Sequence, residues 1–411
     1  MKKLKTIFSP RKLIVWIFLI ILIITVPEIT KPAMSKTEAI ITMMSIDKIE
    51  DKIKISTAVI TPSSERTTNY EVYSGVGETV GEAVENVSLS LGKSMGFAQC
   101  EIMAFGENLS QDGIMSSLDF MTRTRRVGRN AILINFSGDV EEFQQAVVNL
   151  NIEKSIPLED VINFDKRYIP SADSNIHSFY KGYFSQISLG IMPKVKLLTE
   201  ETDNSIEVES GATGGGNSQD PGSGTGGQTN KKYILNDGTI SVFKSGKKLL
   251  ELTPDLMQNL NLLSNVEQEG TLKVNNVDDD LYKNSNVVLN IHNKELNFNP
   301  KFENGKPKMD ITIDLSVLVE EVDEEKPTKS FLKRNKEFLT NELISKTKET
   351  VKNNCFEIIE FCKQNEVDLV GVYEQFYRKK YNKFKKYYEQ MQEKYLNDVE
   401  FNITVKVSSS Y

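Results

Sequence analysis

From Met309 to Val319 the sequence repeats with a period of two. Met309, Ile311, Ile313, Leu315, Val317 and Val319 take one side, Asp310, Thr312, Asp314 and Ser316 take the other, and Leu318 is the exception. That period fits a strand with one apolar and one wet face and fits no helix, so the stretch predicts a half-buried antiparallel strand. The chain closes on the same pattern. Val399, Phe401, Ile403, Val405 and Val407 alternate with Glu400, Asn402, Thr404 and Lys406, which makes the last residues part of a sheet rather than a loose tail. Between the two stretches, Leu332, Leu339, Leu343, Val351, Cys355, Ile358, Ile359 and Cys362 keep near a 3.6 period. They predict a long amphipathic helix after the acidic stretch 320–325 and Pro327. Shorter helices are expected over 369–378 and 383–395.

The first half mixes the two periods. Residues 39–46 and 53–60 flank a polar turn and predict a hairpin, and 70–74, 100–105 and 131–136 predict further strands. Ala83, Val84, Val87 and Leu91 have the spacing of one buried helix face, and 113–121 predicts another helix. Alternation of this kind implies an α/β or α+β unit with a mixed sheet. The composition then changes: residues 211–227 hold eight of the 24 glycines, among Ser, Thr, Asn and Gln. Such a segment has too little apolar surface to offset its ordering entropy, so 200–231 reads as a flexible insertion. Regular structure resumes with a strand at 239–243. Thr253-Pro254-Asp255 starts a helix with Leu256, Leu260 and Leu263 on one face, and 287–291 is a further strand.

At the N-terminus, Lys2, Lys3, Lys5, Arg11 and Lys12 precede an apolar run from 13 to 26. A basic flank before an apolar core reads as a secretory signal or a signal-anchor. As a helix the run spans about 21 Å, against roughly 30 Å of hydrocarbon, which is short for a transmembrane segment. No A-x-A-like cleavage site follows, and no cysteine occurs before Cys100 to take a lipid. The segment 1–36 is therefore expected to stay as an anchor, with a cleaved signal as the alternative.

Hydrophobic residues make up 39% of the 411 residues and charged residues 26%, enough for two to three packed and soluble units. A net charge of −7 argues against a nucleic-acid-binding body. Catalytic and metal chemistry find no support. His177 and His292 stand far apart in polar surroundings, and no nucleophile–base signature accompanies them. Cys355 and Cys362 sit seven apart on the expected helix, about 10.5 Å along its axis, too far for a disulfide. Gly75-Val76-Gly77-Glu78-Thr79-Val80-Gly81 is one residue too long for a dinucleotide fingerprint and reads as a strand-to-helix turn using glycine freedom. Asp278-Asp279-Asp280 lacks the spacing of a calcium loop. No catalytic, cofactor-binding, metal or lipidation residue is assigned. Two basic clusters remain. Arg123, Arg125, Arg126 and Arg129 follow a helix and are candidates for contact with an acidic partner or lipid headgroups. Arg378, Lys379, Lys380, Lys383, Lys385 and Lys386 interleave with Tyr377, Tyr381, Phe384, Tyr387 and Tyr388, and here the aromatics read as the buried face of a short helix.

Several stretches, taken in order, resemble the Ger(x)C spore germination family, the C subunit of spore germinant receptors. They are SGVGETVGEAVENVSLSLGKSMGF (74–97), GIMSSLDFMTR (113–123), LGIMPKV (189–195), DGTISVFKSGKKLLELTPD (237–255), KFENGKPKMDITIDLSV (301–317), NEVDLVGVYEQFYRKKY (365–381) and DVEFNITVKV (398–407). The chain departs from the family in lacking the lipidated cysteine followed by Trp-Asp. It offers Met34-Ser35-Lys36 there, and Gln99 where a histidine is frequent. The resemblance implies an α+β fold of three domains of mixed sheets packed with helices, behind an N-terminal membrane anchor. The units are then 1–36 (anchor), 37–199, 200–231 (insertion), 232–326 and 327–411. It further implies a non-catalytic subunit on the outer face of the spore inner membrane, needed for nutrient-triggered germination. Its partners would be two integral-membrane subunits, A-type and B-type, with no cofactor and no nucleic acid. A membrane-anchored solute-binding protein and a cell-envelope hydrolase are the alternatives. If 1–36 is an uncleaved anchor, intact mass of the protein from membrane extracts will include it; a mature start near Met34 would overturn the anchor.

Overall fold

The alternating stretches form strands and the 3.6-period stretches form helices. The computed structural model describes residues 38–61, 69–154, 158, 174–199, 232–264, 270–323 and 339–410. The first part of the chain comprises β1 (Glu38–Ile49), β2 (Lys52–Thr61), β3 (Asn69–Gly77), α1 (Val80–Leu91), β4 (Ser94–Gly96), β5 (Ile102–Gly106), α2 (Glu107–Asp112), α3 (Met115–Arg123), β6 (Ile132–Ser137), α4 (Val140–Lys154), α5 (Ile176–Tyr183) and β7 (Leu189–Thr199). The rest comprises β8 (Lys232–Leu235), β9 (Ile240–Lys244), β10 (Lys247–Leu252), α6 (Pro254–Leu262), β11 (Gly270–Val277), β12 (Ser285–Glu303), β13 (Lys306–Asp323), α7 (Asn341–Gln364), α8 (Val372–Met391), a 3₁₀ turn (Gln392–Leu396) and β14 (Glu400–Ser409).

Ten strands make the first sheet, in the order β10-β9-β7-β6-β5-β1-β2-β3, with β4 on β1 and β8 on β7. Strands β1, β5, β6 and β7 run parallel, while the hairpins at either side are antiparallel. Thr79 caps α1 by accepting from Glu82 N–H, and Val80, Ala83, Val84 and Val87 are its buried face. Gly75 and Gly77 lie inside β3 and not in the turn after it. A Cβ on either would come within 2.6 Å of the Ala83 backbone, so these glycines admit a close helix–strand approach. Conformational freedom, the sequence-based reason for them, is not what they supply.

The second sheet has the order β11-β12-β13-β14. Its centre is a hairpin of 19- and 18-residue strands joined at Asn304 (φ 51°) and Gly305 (φ 82°). Two left-handed residues match the twist that a two-residue hairpin loop needs. The alternation at 309–319 places Met309, Ile311, Ile313, Leu315 and Val317 in the core. Strand β14 returns parallel to β13 after the α7–α8 crossover. Helix α7 starts at Asn341, capped by Thr340, and buries Leu343, Val351, Cys355, Ile358, Ile359 and Cys362. Both of its cysteines are free and buried. Helix α8 breaks at Lys380, whose backbone is not helical, between the two short helices expected there. At its start, buried Asp368 accepts from Val372 N–H (2.9 Å), Tyr373 N–H (2.6 Å) and the Tyr395 hydroxyl.

The stretch expected as one unit at 232–326 divides between the two sheets. Thr199 pairs with Lys232 across β7 and β8, so the chain leaves and re-enters the first sheet at one point on either side of 200–231. Strand β9 is buried on both faces: Ile240 and Val242 join the core of the second sheet, while Phe243 joins the core of the first. The anchor segment 1–36, the glycine-rich 200–231 and Leu332 lie outside the described residues. Among the described residues no helix is long and apolar enough to cross a membrane.

Ile403 is 4% exposed in β14, and its neighbour Thr404 faces solvent. Ile403→Asp should forfeit about 1.5–3 kcal/mol of apolar burial and add the cost of an unpaired buried carboxylate. Thr404→Asp should cost far less. Urea melts of the two variants check this, and equal losses would refute the register.

Candidate functional site

Because β1, β5, β6 and β7 are parallel, their first residues share one end of the sheet. The chain enters β1 there at Glu38, and the α3–β6 loop with Arg125, Arg126 and Arg129 runs into β6 at the same end. A cleft of about 900 Å³ lies there, with Thr42, Gln99, Glu101 and Asn130 as polar groups and Met43 and Val147 among its apolar walls. Cys100 also lines it. Its thiol donates to the Ile102 carbonyl at 3.4 Å, and burial pushes its pKa up to about 12, which leaves no reactive thiolate.

The four arginines singled out from the sequence do not converge on one point. Arg123 binds Asp119 through Nε at 3.2 Å. The Arg125 guanidinium stands 5.6 Å from the centre of the Phe120 ring, and its Nε has no hydrogen-bond partner among the described residues. Arg126 and Arg129 are exposed. The result is a basic rim beside the cleft, suited to attracting anionic groups.

At the opposite end of β5, β6 and β7 lies a charged cluster that the sequence did not reveal. Lys248, 6% exposed, bonds Glu107 and Glu251, and Lys194 bonds Glu251. Asn135 ties these to the strands: its Nδ2 donates to the Phe105 carbonyl (2.9 Å) and to Ser110 Oγ (3.0 Å). Its Oδ1 accepts from Ser241 Oγ (2.8 Å) and from Lys248 (3.2 Å). Burial alone would raise the Glu251 pKa, but the hydrogen bonds from Lys194 and Lys248 prevail and hold it below the usual carboxylate range. Two lysines and two glutamates cancel, so the cluster is a neutral clamp across α2, β6, β7, β9 and β10.

On α8 the aromatic side chains divide. Phe376 and Phe384 are buried and stacked 5.1 Å apart, whereas Tyr377 and Tyr381 are 46% and 43% exposed. Arg378 binds Glu374, and Lys379 reaches the Phe298 carbonyl. Of the five aromatics expected to form a buried face here, only Phe384 is buried; Tyr387 and Tyr388 are half-buried, and Tyr377 and Tyr381 stand outside the core. His177 and His292 are exposed on α5 and β12. Among the described residues no group of three His, Cys, Asp or Glu side chains could hold a metal.

Comparison with known proteins gives two matches in chain order. Residues 36–197 match the spore germination protein N-terminal domain, and residues 238–409 match the spore germination B3/GerAC-like C-terminal family. The chain is also similar to a crystal structure of the GerBC protein, at 15% identity and a TM-score of 0.51, covering 90% of this chain and 97% of that one. At that identity the likeness speaks for the fold. No curated protein matches the sequence.

Lys248→Met should destabilise the fold by about 3 kcal/mol, the lower end for breaking a buried ion pair, because its carboxylate partners are about a third exposed. Glu251 has a depressed pKa in the folded state, so its contribution is complete above the ordinary carboxylate range and disappears as pH falls through the folded value. Thermal melts of both proteins at pH 7 and at low pH should show the deficit of the variant shrinking on acidification.

Proposed function

The chain belongs to the Ger(x)C spore germination family, and from this premise we propose that it is the C-type subunit of a spore germinant receptor. The subunit has no turnover of its own. Its N-terminal apolar segment holds it at the outer face of the spore inner membrane, where it works with A-type and B-type integral-membrane subunits in nutrient-triggered germination. The observation that carries this reading is the succession of the two family matches, which together span both sheets. The position of the basic rim supports it. Arg126 and Arg129 share one end of the sheet with Glu38, so a chain tethered through 1–36 would turn them towards anionic headgroups or acidic loops of membrane partners. A tether also raises the effective concentration of the body towards those partners, which lets weak contacts hold a complex.

The cleft favours a second reading, as a solute-binding protein, because its volume falls in the range of small-molecule sites. Removal of residues 1–36 separates the two. In spores lacking the native gene, the truncated chain should remain folded, leave the membrane, fail to restore nutrient-triggered germination and lose co-purification with the two membrane subunits. Full restoration by the untethered body would refute the receptor-subunit role. A shift in melting temperature with a germinant amino acid or sugar would favour solute binding.

A further inference from the structure

Three ends of the two sheets are blunted. The β10 and β11 edges carry register shifts, at Lys248/Leu250 and Val274/Val277. On β3, the Asn86 side chain of α1 donates to the Val76 carbonyl at 2.7 Å. Strand β14 differs: it pairs with β13 over ten residues without a register shift, and contains neither proline nor glycine. A straight, regular edge of that length is a template for another strand.

The backbone of β14 shows which groups are available. Ser408 is aligned with Ser316, and Ser410 N–H donates to the Val317 carbonyl at 3.2 Å. Even-numbered residues therefore direct their amides towards β13. Phe401, Ile403, Val405 and Val407 direct theirs to the open side, because strand residues alternate. The solvent-facing charges also stop short at this edge. Across the sheet they run Glu303, Lys308, Glu400, with Lys308 3.3 Å and 3.4 Å from the two glutamates. Lower down, Asp314 faces Lys406 at 3.8 Å. Glu400 and Lys406 remain 72% and 63% exposed, which leaves each with room for a second partner.

We propose that the open edge of β14 is a homodimer interface, in which two copies pair these strands antiparallel about a two-fold axis at Ile403. With the axis there, the open-side N–H of Ile403 donates to the Ile403 carbonyl of the copy and its carbonyl accepts in return, and Phe401 faces Val405, as an antiparallel ladder requires. Glu400 falls opposite Lys406 of the second copy and Asn402 opposite Thr404. The charge row becomes Glu303, Lys308, Glu400, then Lys406 and Asp314 of the second copy, alternating in sign throughout. The apolar face of one sheet continues as the apolar face of the other, so pairing leaves no side chain on the wrong side. Residues 400–406 of β14 are their own complement, which is the condition for an isologous contact. This inference does not depend on the receptor assignment.

The test uses the full-length chain in variants that each carry one added cysteine. Asn402→Cys and Thr404→Cys lie opposite one another across the axis, and Cys100, Cys355 and Cys362 are buried and stay out of the reaction. Mild oxidation of membranes holding both variants should give a covalent dimer of twice the chain mass, with little from either variant alone. Adding Glu400→Lys to both chains sets lysine against lysine at both ends of the contact. It should lower the yield by about tenfold, and Lys406→Glu in both should do the same. Glu400→Lys in one chain and Lys406→Glu in the other restores two opposite-charge pairs and should restore the yield. A yield that ignores the charge reversals, or no dimer from the mixed pair, would overturn the proposal. A cross-link to a species of any other mass would also overturn it, since the edge would then take a strand from a different protein.

Discussion

Lys194 and Lys248 come from opposite sides of the glycine-rich stretch and meet over Glu251, beside Glu107. That contact fastens β9 and β10 to the parallel strands, and the rest of the molecule depends on it. Strand β9 supplies Ile240 and Val242 to the core of the second sheet and Phe243 to that of the first. A sheet edge held only by backbone bonds could slide by one residue and exchange those faces. The clamp fixes the register through side chains of opposite sign, at a site where Asn135 accepts from both Ser241 and Lys248. Strand β9 therefore lies between two apolar clusters, one on each of its faces.

What the sequence revealed follows from the kind of information each feature carries. Period-two stretches such as 309–319 and 399–407 report burial directly, and both became strands with the expected faces inward. The Thr253 cap and the break near Lys380 are local, and both were legible for that reason. The partner of β14 was not. Its own alternation is the same whether the neighbour is parallel or antiparallel, and only the α7–α8 crossover makes it parallel to β13. The full length of β12 was missed although Asn304-Gly305 is a strong hairpin signal. A bulge between Ile291 and Asn293 moves the inward residues from odd positions to even ones, which breaks the period. The charged clamp had no signal at all, since Glu107 and Lys248 lie 141 positions apart and look like any solvated residues.

The candidate site was legible in kind and not in arrangement. The arginine cluster stood out by density, yet its members divide into a helix-surface ion pair, an aromatic contact and two exposed side chains. The cleft beside it depends on strand order, which no local pattern encodes. The family resemblance supplied the expected role, and the two family matches support membership. The basic rim at the entry end of the sheet emerges only from the fold.

The meeting of Thr199 and Lys232 gives an experimental handle. They are neighbours in one ladder at the far end of the parallel strands from Glu38. Whatever lies between them hangs from a single closed doorway, and its length adds only slowly to the entropy of closing it. A fluorophore or an affinity tag placed within 200–231 would therefore ride on the pole of the body remote from the chain's entry. A label there is joined to the body at the end of the parallel strands opposite the cleft.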